Sequence, residues 1–578
     1  MSLTAAIHIA RSALTASQIG IQVAGNNIAN VATAGYSRQV GRFSPARGDG
    51  SQRGVMIGGG VEVRAVQRQI DTALQGRLWD SASNQAAAFA QSQVFSQIES
   101  TLGELGDNDL SSELSSFFKG WSEKANQTQS STAVVQQGDK LAEFMRRLRS
   151  DLIDQRRQID RQLSAGVERA NQLLGQVADL NRAVSDAEVG GTTANTLRDQ
   201  RDDAISELST LMNVTVVDRG PEGMDVLAGS TPVVLAGQAR GLELRRQTVN
   251  GEVQVSISTG PDGQQLEVSS GELGSLLASR AGAVDSTVAK LDTLASQLIF
   301  EINKLHSTGV NLAGLRSTTG TLRLPASGRG LALNDPTNSS LADLPFGATN
   351  GGFSINIRQQ GTGTVQTVRI PVNLDGLTNA GTPGFGDDTS AEDIRAALDA
   401  IPGLTATFTP EGRLDLRADT GFDFSISDDS SGAPAVLGLN AYFTGTDAAD
   451  IGIRADLKAD ASLLTTGRIV GGQFIENGTA LAVAGLQELG ITGLNGQSFA
   501  DSWRESVQVV GADAATALSN AESTTVVRES LEAQRAAISG VSIDEESINL
   551  LDFQRQYQGA ARVISIADEL TRELMQLL

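Results

Sequence analysis

Apolar residues near both ends of the chain recur in alternating steps of four and three positions. The N-terminal set runs from Leu3 to Val31 and the C-terminal set from Leu550 to Leu578. A repeat of this kind places the apolar side chains on one stripe of an α-helix, as in a coiled coil. The sequence therefore predicts a coiled-coil-like helix at each end of the chain.

Neither terminal helix is expected to be stable alone. A narrow stripe buries too little apolar area to offset the conformational entropy lost when the backbone is ordered. Each helix therefore needs a partner, which is either the other terminal helix or a helix from another copy of the chain.

Between the terminal stripes the pattern changes several times. Helical periodicity dominates from about residue 80 to 212 and predicts one long helix or two. Short β-type runs follow in 213–272, where Asn250 and Gly251 indicate a hairpin turn. The apolar stripe of the long helical region comprises Leu141, Met145, Leu148, Leu152, Ile159, Leu174, Val177 and Val184.

Helical periodicity resumes from Leu273 to about Leu305, and a second β-rich region covers about 345 to 455. Within that region "SAEDIRAALDAI" predicts one helix, capped by Ser390 with Asp393 at its third position. Alternating apolar and polar residues around it predict strands. The region therefore reads as an α+β module inserted between helices.

The whole pattern predicts a multidomain α+β fold, because 578 residues exceed what one hydrophobic core supports. We expect paired N- and C-terminal coiled-coil-like helices, a long-helix bundle domain, and projecting mainly-β and α+β insertion domains. The predicted parts are a discontinuous terminal helical core (1–35 plus 540–578), a helical-rich domain (36–212 plus 273–315 plus 456–539), a small β domain (213–272) and a projecting α+β insertion (316–455).

Composition narrows the possible chemistry. The net charge of −22 disfavours binding to nucleic acid and to anionic membrane surfaces. Cysteine is absent, which excludes disulfides and thiolate catalysis. The start of the chain lacks the features of a Sec signal peptide, and no segment approaches the length of a membrane span. We therefore expect no nucleic-acid partner and no membrane partner.

Catalytic motifs are also missing. The sequence contains no H-E-x-x-H, no G-x-S-x-G and no phosphate-binding G-x-x-x-x-G-K-[ST]. The two histidines, His8 and His306, have no partner motif, and each is expected to be structural. The sequence therefore predicts no catalytic residue, no cofactor and no metal, and hence a protein that is not an enzyme.

Two terminal stretches carry a family resemblance. "NNIANVATAGYSRQ" resembles the N-terminal signature of the bacterial flagellar rod, hook and hook-associated protein family. "VSIDEESINLLDFQRQYQGAARVISIADELTRELMQLL" resembles that family's C-terminal signature. "GYSRQ", with Ser37 and Arg38, together with "SIDEE" and the internal segments 196–216, 271–280 and 302–314, is similar to the hook-associated members.

The resemblance implies a structural protein of the junction between hook and filament, in the extracellular flagellum. It further implies export by the flagellar type III pathway, with a cytoplasmic chaperone on the C-terminal helix beforehand. The implied partners are other copies of the chain, the hook protein, a second junction protein and filament-side subunits. The expected assembly interface comprises Leu3, Ile7, Leu14, Ile21, Asn26, Asn27, Ile28, Asn30, Val31, Gly35, Tyr36, Leu550, Phe553, Tyr557, Ile564, Leu570 and Leu574.

Some alternatives remain open at this point. The chain could be another structural member of the same family, such as a hook or distal rod protein, or an extracellular wall-degrading enzyme with a paired-carboxylate site. Within the signature, Gly35 is expected to close the first helix in a left-handed conformation. The asparagines Asn26, Asn27 and Asn30 either bond to another subunit or only to their own turn.

Overall fold

The computed structural model describes residues 3–47, 58–103, 109–220, 223–249, 252–260 and 262–576, apart from the side chains of Glu252 and Leu574. It mixes long helices with small antiparallel sheets, so the predicted mixture of helix and strand is confirmed. The helices are α1 (Leu3–Ala29), α2 (Thr72–Leu102), α3 (Leu110–Ala125), α4 (Ser131–Glu188), α5 (Asn195–Leu211), α6 (Gly271–Ser279), α7 (Ser286–Ser307), α8 (Ser339–Ala342), α9 (Ala391–Asp399), α10 (Ala433–Val436), α11 (Ala455–Ala459), α12 (Gly478–Gly485), α13 (Phe499–Ser539) and α14 (Ile543–Gln576).

The strands are short and lie in three groups along the chain. The first group is β1 (Gln39–Pro45) and β2 (Val61–Arg68). The second is β3 (Val214–Asp218), β4 (Met224–Ala228), β5 (Thr231–Leu235), β6 (Gln238–Ala239), β7 (Leu242–Val249) and β8 (Glu252–Thr259). The third is β9 (Gly309–Val310), β10 (Ser317–Thr319), β11 (Gly351–Gln359), β12 (Val365–Val372), β13 (Leu404–Phe408), β14 (Leu414–Ala418), β15 (Phe422–Ser427), β16 (Phe443–Thr444), β17 (Gly452–Ile453), β18 (Gly467–Val470) and β19 (Gln473–Ile475).

The chain divides into two compact units. The first comprises Met1–Val94, Gln158–Ala281 and Ala515–Leu578, and the second comprises Phe95–Arg157 and Gly282–Ala514. The finer division into four parts expected above stays a prediction.

The region around 80–212 contains four helices, α2 to α5, so the expectation of one long helix or two is wrong. Gly103, with a φ of +63°, follows the end of α2, and Asp109 caps α3 by accepting a hydrogen bond from the Ser112 amide at 2.6 Å. Gly190 and Gly191, both at positive φ, follow α4. The predicted apolar stripe is confirmed, because all eight of its residues are buried on α4.

In the first unit, α1 packs against α14 and against the β1–β2 hairpin. Strands β3 to β6 form a four-stranded antiparallel sheet. Strands β7 and β8 form the expected hairpin, with Val249 opposite Glu252. The predicted turn residues Asn250 and Gly251 lie outside the described residues.

The second unit has an aromatic core. The rings of Phe117, Trp121, Tyr442 and Phe443 are fully buried and contact one another at centroid distances from 4.8 to 6.4 Å. His306 is buried beside them, and its Nδ1 lies 2.7 Å from the Asn440 carbonyl oxygen. Burial first, and then the charge of a nearby arginine, lower the pKa of His306 to about 3. His306 is therefore a neutral structural residue, whereas His8 is exposed on α1.

The second unit also contains the inserted α+β module. Strands β12, β11 and β15 form one sheet, and strands β10, β14 and β13 form another. Helix α9 and the two sheets share a hydrophobic core that includes Phe353, Leu398 and Phe424. The predicted capping box of α9 is confirmed: the Ser390 hydroxyl accepts from the Asp393 amide at 3.1 Å, and the Asp393 carboxylate accepts from the Ser390 amide at 2.9 Å.

Candidate assembly site at the joined chain ends

The two terminal helices, α1 and α14, contact each other through small residues. A Cβ atom added to Gly20 would lie 2.5 Å from the Phe553 ring, so this close approach requires glycine. Phe553 in turn lies beside Phe43 of the β1–β2 hairpin, with ring centroids 6.0 Å apart. The buried residues of α1 are Ala10, Ala16, Ser17, Gly20, Ala24 and Asn27, and those of α14 include Ala560 and Ala567.

The large apolar residues of the predicted stripes are less buried than the small ones. Val31 lies beyond the end of α1 and is 40% exposed, while Tyr557 and Leu570 on α14 are also exposed. The side chain of Leu574 lies outside the described residues. The residues of the predicted interface that are half-buried are Leu3, Ile7, Leu14, Ile21, Ile28, Leu550, Phe553 and Ile564.

A further row of apolar residues on α14 faces solvent in this chain. Ile548, Leu551 and Ile566 are each more than half exposed. Apolar side chains in such a row lower the free energy when another surface covers them. The pair of terminal helices, α1 and α14, therefore has two different sides. On one side the helices contact each other, and on the other the apolar row of α14 has no partner among the described residues.

Helix α1 ends at Ala29, before the signature turn. The Asn30 side-chain amide donates to the Asn26 carbonyl at 2.9 Å and to its Oδ1 at 3.0 Å, which are bonds within the last turn. Gly35 has a φ of +77° but follows the helix by several residues, so the prediction that it closes α1 is wrong. A Cβ atom at Gly35 would lie 2.0 Å from an Asp203 carboxylate oxygen, which explains the glycine by close approach.

Polar bonds among Asn27, Arg38 and Glu546 connect α1 and the turn after it to α14, and we call this group the joint. Asn27 is its central residue. Its side chain forms a pair of bonds with the backbone of Gln39, donating to the carbonyl at 2.9 Å and accepting from the amide at 3.0 Å. It also accepts from the Tyr36 hydroxyl at 2.7 Å and donates to the Glu546 carboxylate at 3.1 Å. Asn27 is fully buried, so each of these bonds is needed to satisfy it.

Arg38 joins the N-terminal signature to the C-terminal one. Its guanidinium lies 2.7 Å from Glu546 and 3.1 Å from Glu545, the two glutamates of "SIDEE". Its backbone amide also donates to the Ser539 carbonyl at 3.0 Å. Glu546 is only 3% exposed, whereas Glu545 is 63% exposed, so Glu546 is the stronger partner.

A second charged group holds the turn from the other side. Asp199 of α5 accepts from the Ser37 amide at 3.4 Å, and Arg68 of β2 contacts Asp199 at 2.8 Å and Asp202 at 2.7 Å. Burial raises the pKa of Asp199 although Arg68 opposes the shift. Burial, followed by the charges of Asp199 and Glu546, raises the pKa of Tyr36 to about 12, which keeps its hydroxyl a hydrogen-bond donor.

The predicted asparagines therefore have different roles. Asn30 bonds within the last turn of α1, Asn26 also donates to the Tyr36 hydroxyl at 3.3 Å, and Asn27 reaches Glu546 of α14. The predicted interface omitted the charged residues Arg38, Glu546 and Asp199 that hold the joint. Their signal was present in "GYSRQ", in "SIDEE" and in the 196–216 segment, but a pattern of apolar residues does not report ion pairs.

The joint is suited to holding chain segments together, with no sign of a reaction centre. The described ranges hold no cluster of three or more His, Cys, Asp or Glu side chains arranged to bind a metal ion. Within the same ranges, no helix combines the length and apolar character needed to cross a lipid bilayer.

Three models of flagellar protein families match parts of this chain. The model of the flagellar hook-associated protein FlgK helical domain matches residues 95–321. The model of the flagellar basal body rod FlgEFG protein C-terminal region matches 532–577, and that of the flagella basal body rod protein matches 7–36. The two rod-type matches thus include Asn27 and Glu546, which bond to each other, while Arg38 lies two residues beyond the N-terminal match.

Several curated relatives match the chain over nearly its full length. Flagellar hook-associated protein 1 of Salmonella typhimurium is 26% identical over 598 residues, covering 100% of both chains. Across its full length the chain is similar to proteins named flagellar hook-associated protein 1, and residues 95–321 match the FlgK helical-domain model. The Bacillus subtilis member is 27% identical over 98% of this chain and 96% of its own. A solved structure titled as the flagellar hook junction protein FlgK from Burkholderia pseudomallei aligns with a TM-score of 0.48 at 14% identity, covering 80% of this chain and 100% of that one.

Proposed function

We propose that this protein is a structural, non-enzymatic component of the bacterial flagellum that forms the junction layer between hook and filament. The names of its relatives support the flagellar assignment, and the resemblance of the signatures supports the junction. The layer assembles from several copies through the terminal helices. Its neighbours are the hook protein on one side, and a second junction protein and filament-side subunits on the other.

The observation that carries the proposal is the contrast between the two sides of the terminal pair. On the joined side, Asn27, Arg38 and Glu546 form a buried polar joint that fixes how α1 meets α14. On the other side, α14 presents exposed apolar residues such as Ile548 and Ile566. Such a helix pair is ordered in register and still has apolar area available for a neighbouring subunit.

The same apolar row bears on export. After synthesis the chain leaves the cell by the flagellar type III pathway, and a cytoplasmic chaperone covers the C-terminal helix until then. Exposed apolar side chains on α14, for example Leu551, supply the kind of surface that a helix-binding partner recognises. The protein then functions outside the cell, within the flagellum.

The direct test is deletion of the gene in its host, followed by electron microscopy and analysis of the medium. We expect hooks without filaments, with unpolymerised flagellin in the medium, and restoration of filaments by the wild-type gene. Normal filaments in the deletion strain would rule out the junction role. Absence of hooks as well would point to the alternative of a rod or hook protein.

A further inference from the structure

The second unit contains a cleft that the assembly role leaves unused. Its volume is about 740 Å³, which falls in the range of small-molecule sites. The cleft lies beside strands β10 and β14 of the inserted module and beside the 444–456 segment. Its polar lining includes Ser317, Thr319, Thr321, Arg323, Arg413 and Arg454.

Two arginines in the cleft come from adjacent segments. The Gly320 amide donates to the Leu414 carbonyl at 2.7 Å, and the Leu324 amide donates to the Gly412 carbonyl at 2.9 Å. These bonds place Arg323 and Arg413 side by side along two paired stretches of backbone. Two neighbouring cations repel each other, and an anion bound to both offsets that repulsion.

Neither guanidinium has a partner among the residues that the structure describes. Within residues 262–576, which are all described, Arg323 and Arg413 form no ion pair and their side chains donate no hydrogen bond. The Nε atom of Arg413 is buried without an acceptor, which is unfavourable for a charged donor. Glu411 is near both arginines but contacts neither, and it is fully exposed.

The remaining charges of the cleft are satisfied. Arg454 contacts Asp456 at 2.6 Å and donates to the Ala441 carbonyl at 2.7 Å. Asp450 accepts backbone hydrogen bonds from Thr446 at 2.7 Å and from the next residue at 3.2 Å. Arg323 and Arg413 are therefore the unbalanced charges of the cleft, although the chain as a whole carries a net charge of −22.

Hydroxyl groups line the same walls. The side chains of Ser317 and Thr321 form no hydrogen bond within the described 262–576 range, and Thr319 donates to Asp415 at 2.6 Å. We infer that the cleft binds a small, hydroxyl-rich molecule bearing a carboxylate or a phosphate, with Arg323 and Arg413 on the anionic group. The hydroxyls of Ser317 and Thr321 contact the sugar-like body. Guanidinium groups suit both anions because their planar donors match two oxygens at once.

The test is isothermal titration of the full-length protein with four probes: glucuronate, glucose 6-phosphate, inorganic phosphate and glucose. We expect one or both sugar anions to bind, and glucose and inorganic phosphate to bind about tenfold more weakly or worse. Comparison of glucuronate with glucose 6-phosphate identifies which anionic group the arginines prefer. Glucose binding as tightly as the sugar anions, or no binding by either sugar anion, would overturn the inference.

Three variants locate the site. Arg413→Gln and Arg323→Gln should each weaken binding of the preferred sugar anion about tenfold or more. Arg417→Gln, on strand β14 four residues beyond Arg413 but paired with Asp415 at 2.7 Å, removes the same charge and should leave binding unchanged. Equal losses in all three variants would mean a general charge effect and would contradict the site. Arg323 is exposed, so its variant keeps the test valid should Arg413→Gln unfold the module.

Discussion

The aromatic core of the second unit and the terminal helix pair of the first are built on opposite principles. Around His306, large rings such as Phe117 and Tyr442 are fully enclosed by the chain itself. Between α1 and α14 the enclosed residues are mostly alanine, glycine and serine, and several large apolar residues remain exposed. The second unit therefore encloses its own aromatic core. The terminal helix pair is instead held by polar bonds and exposes apolar residues on its outer side.

The largest expected effect lies in the closed core. Replacing Phe117 by alanine removes a ring that contacts four other aromatic side chains. We expect the free energy of unfolding to fall by about 3 to 5 kcal/mol. The measurement is hydrogen exchange of the α3 and α7 amides. Phe385→Ala, at an exposed phenylalanine of the same unit, should cost less than about 1 kcal/mol. Equal effects of the two variants would mean that the aromatic core is not closed.

The next effect lies in the polar joint. Glu546→Gln keeps the shape of the side chain but removes the charge that Arg38 contacts at 2.7 Å. We expect the free energy of unfolding to fall by about 3 kcal/mol. This value is at the low end for a broken buried ion pair because Glu545 still contacts Arg38. The measurement is hydrogen exchange of α14. The exposed control Glu545→Gln should change stability by about 1 kcal/mol or less, and a reversed order would contradict the joint.

The closed core should also respond to pH. Unfolding returns His306 from a pKa of about 3 to its ordinary value of 6.5, so below pH 6.5 the unfolded chain binds a proton that the folded chain excludes. Stability therefore falls as the pH falls, by about 1.4 kcal/mol per unit, or about 2 kcal/mol between pH 6.5 and 5. Chemical denaturation at several pH values, followed by tryptophan fluorescence, to which Trp121 of this core contributes, measures the slope. The slope should persist in His8→Gln and disappear in His306→Gln.

The smallest expected change in stability comes from alanine substitutions at two glycines of α1, and the two substitutions should differ in sign. Gly20→Ala brings a methyl group against Phe553 and should destabilise the helix pair by about 1 to 3 kcal/mol. Gly25→Ala, where nothing lies within 4 Å of the added atom, should stabilise it by about 0.5 to 1 kcal/mol through helix propensity. Hydrogen exchange of α1 measures both. Stabilisation by both variants would show that the two helices do not pack closely at Gly20.

Local features of the fold could be predicted from the sequence. The stripe of α4 and the capping box at Ser390 follow from neighbouring residues, and both are present in the structure. The breaks between α2, α3, α4 and α5 do not follow from the spacing of apolar residues, which does not mark where one helix ends and the next begins. The positive φ of Gly103 and the cap at Asp109 report those breaks more directly.

The candidate site shows what periodicity cannot give. Arg38 and Glu546 are 508 positions apart, so no local pattern connects them. The seam of α1 was also predicted to bury large residues, but the aromatic ring of Phe553 lies over Gly20 and leaves space only for small ones. Long-range pairing thus decided which face of α1 became buried.

The central claim is that the outer side of α14 is reserved for neighbouring subunits. Leu551 and Ile566 are both exposed there, and glutamine at both positions retains helix propensity. The decisive measurement is filament formation in the deletion strain carrying this double variant, with Val365 and Leu377 of the insertion changed to glutamine as the control. We expect a monomer of unchanged helix content and stability, no filaments for the α14 variant and normal filaments for the control. Normal filaments with the α14 variant would contradict the claim.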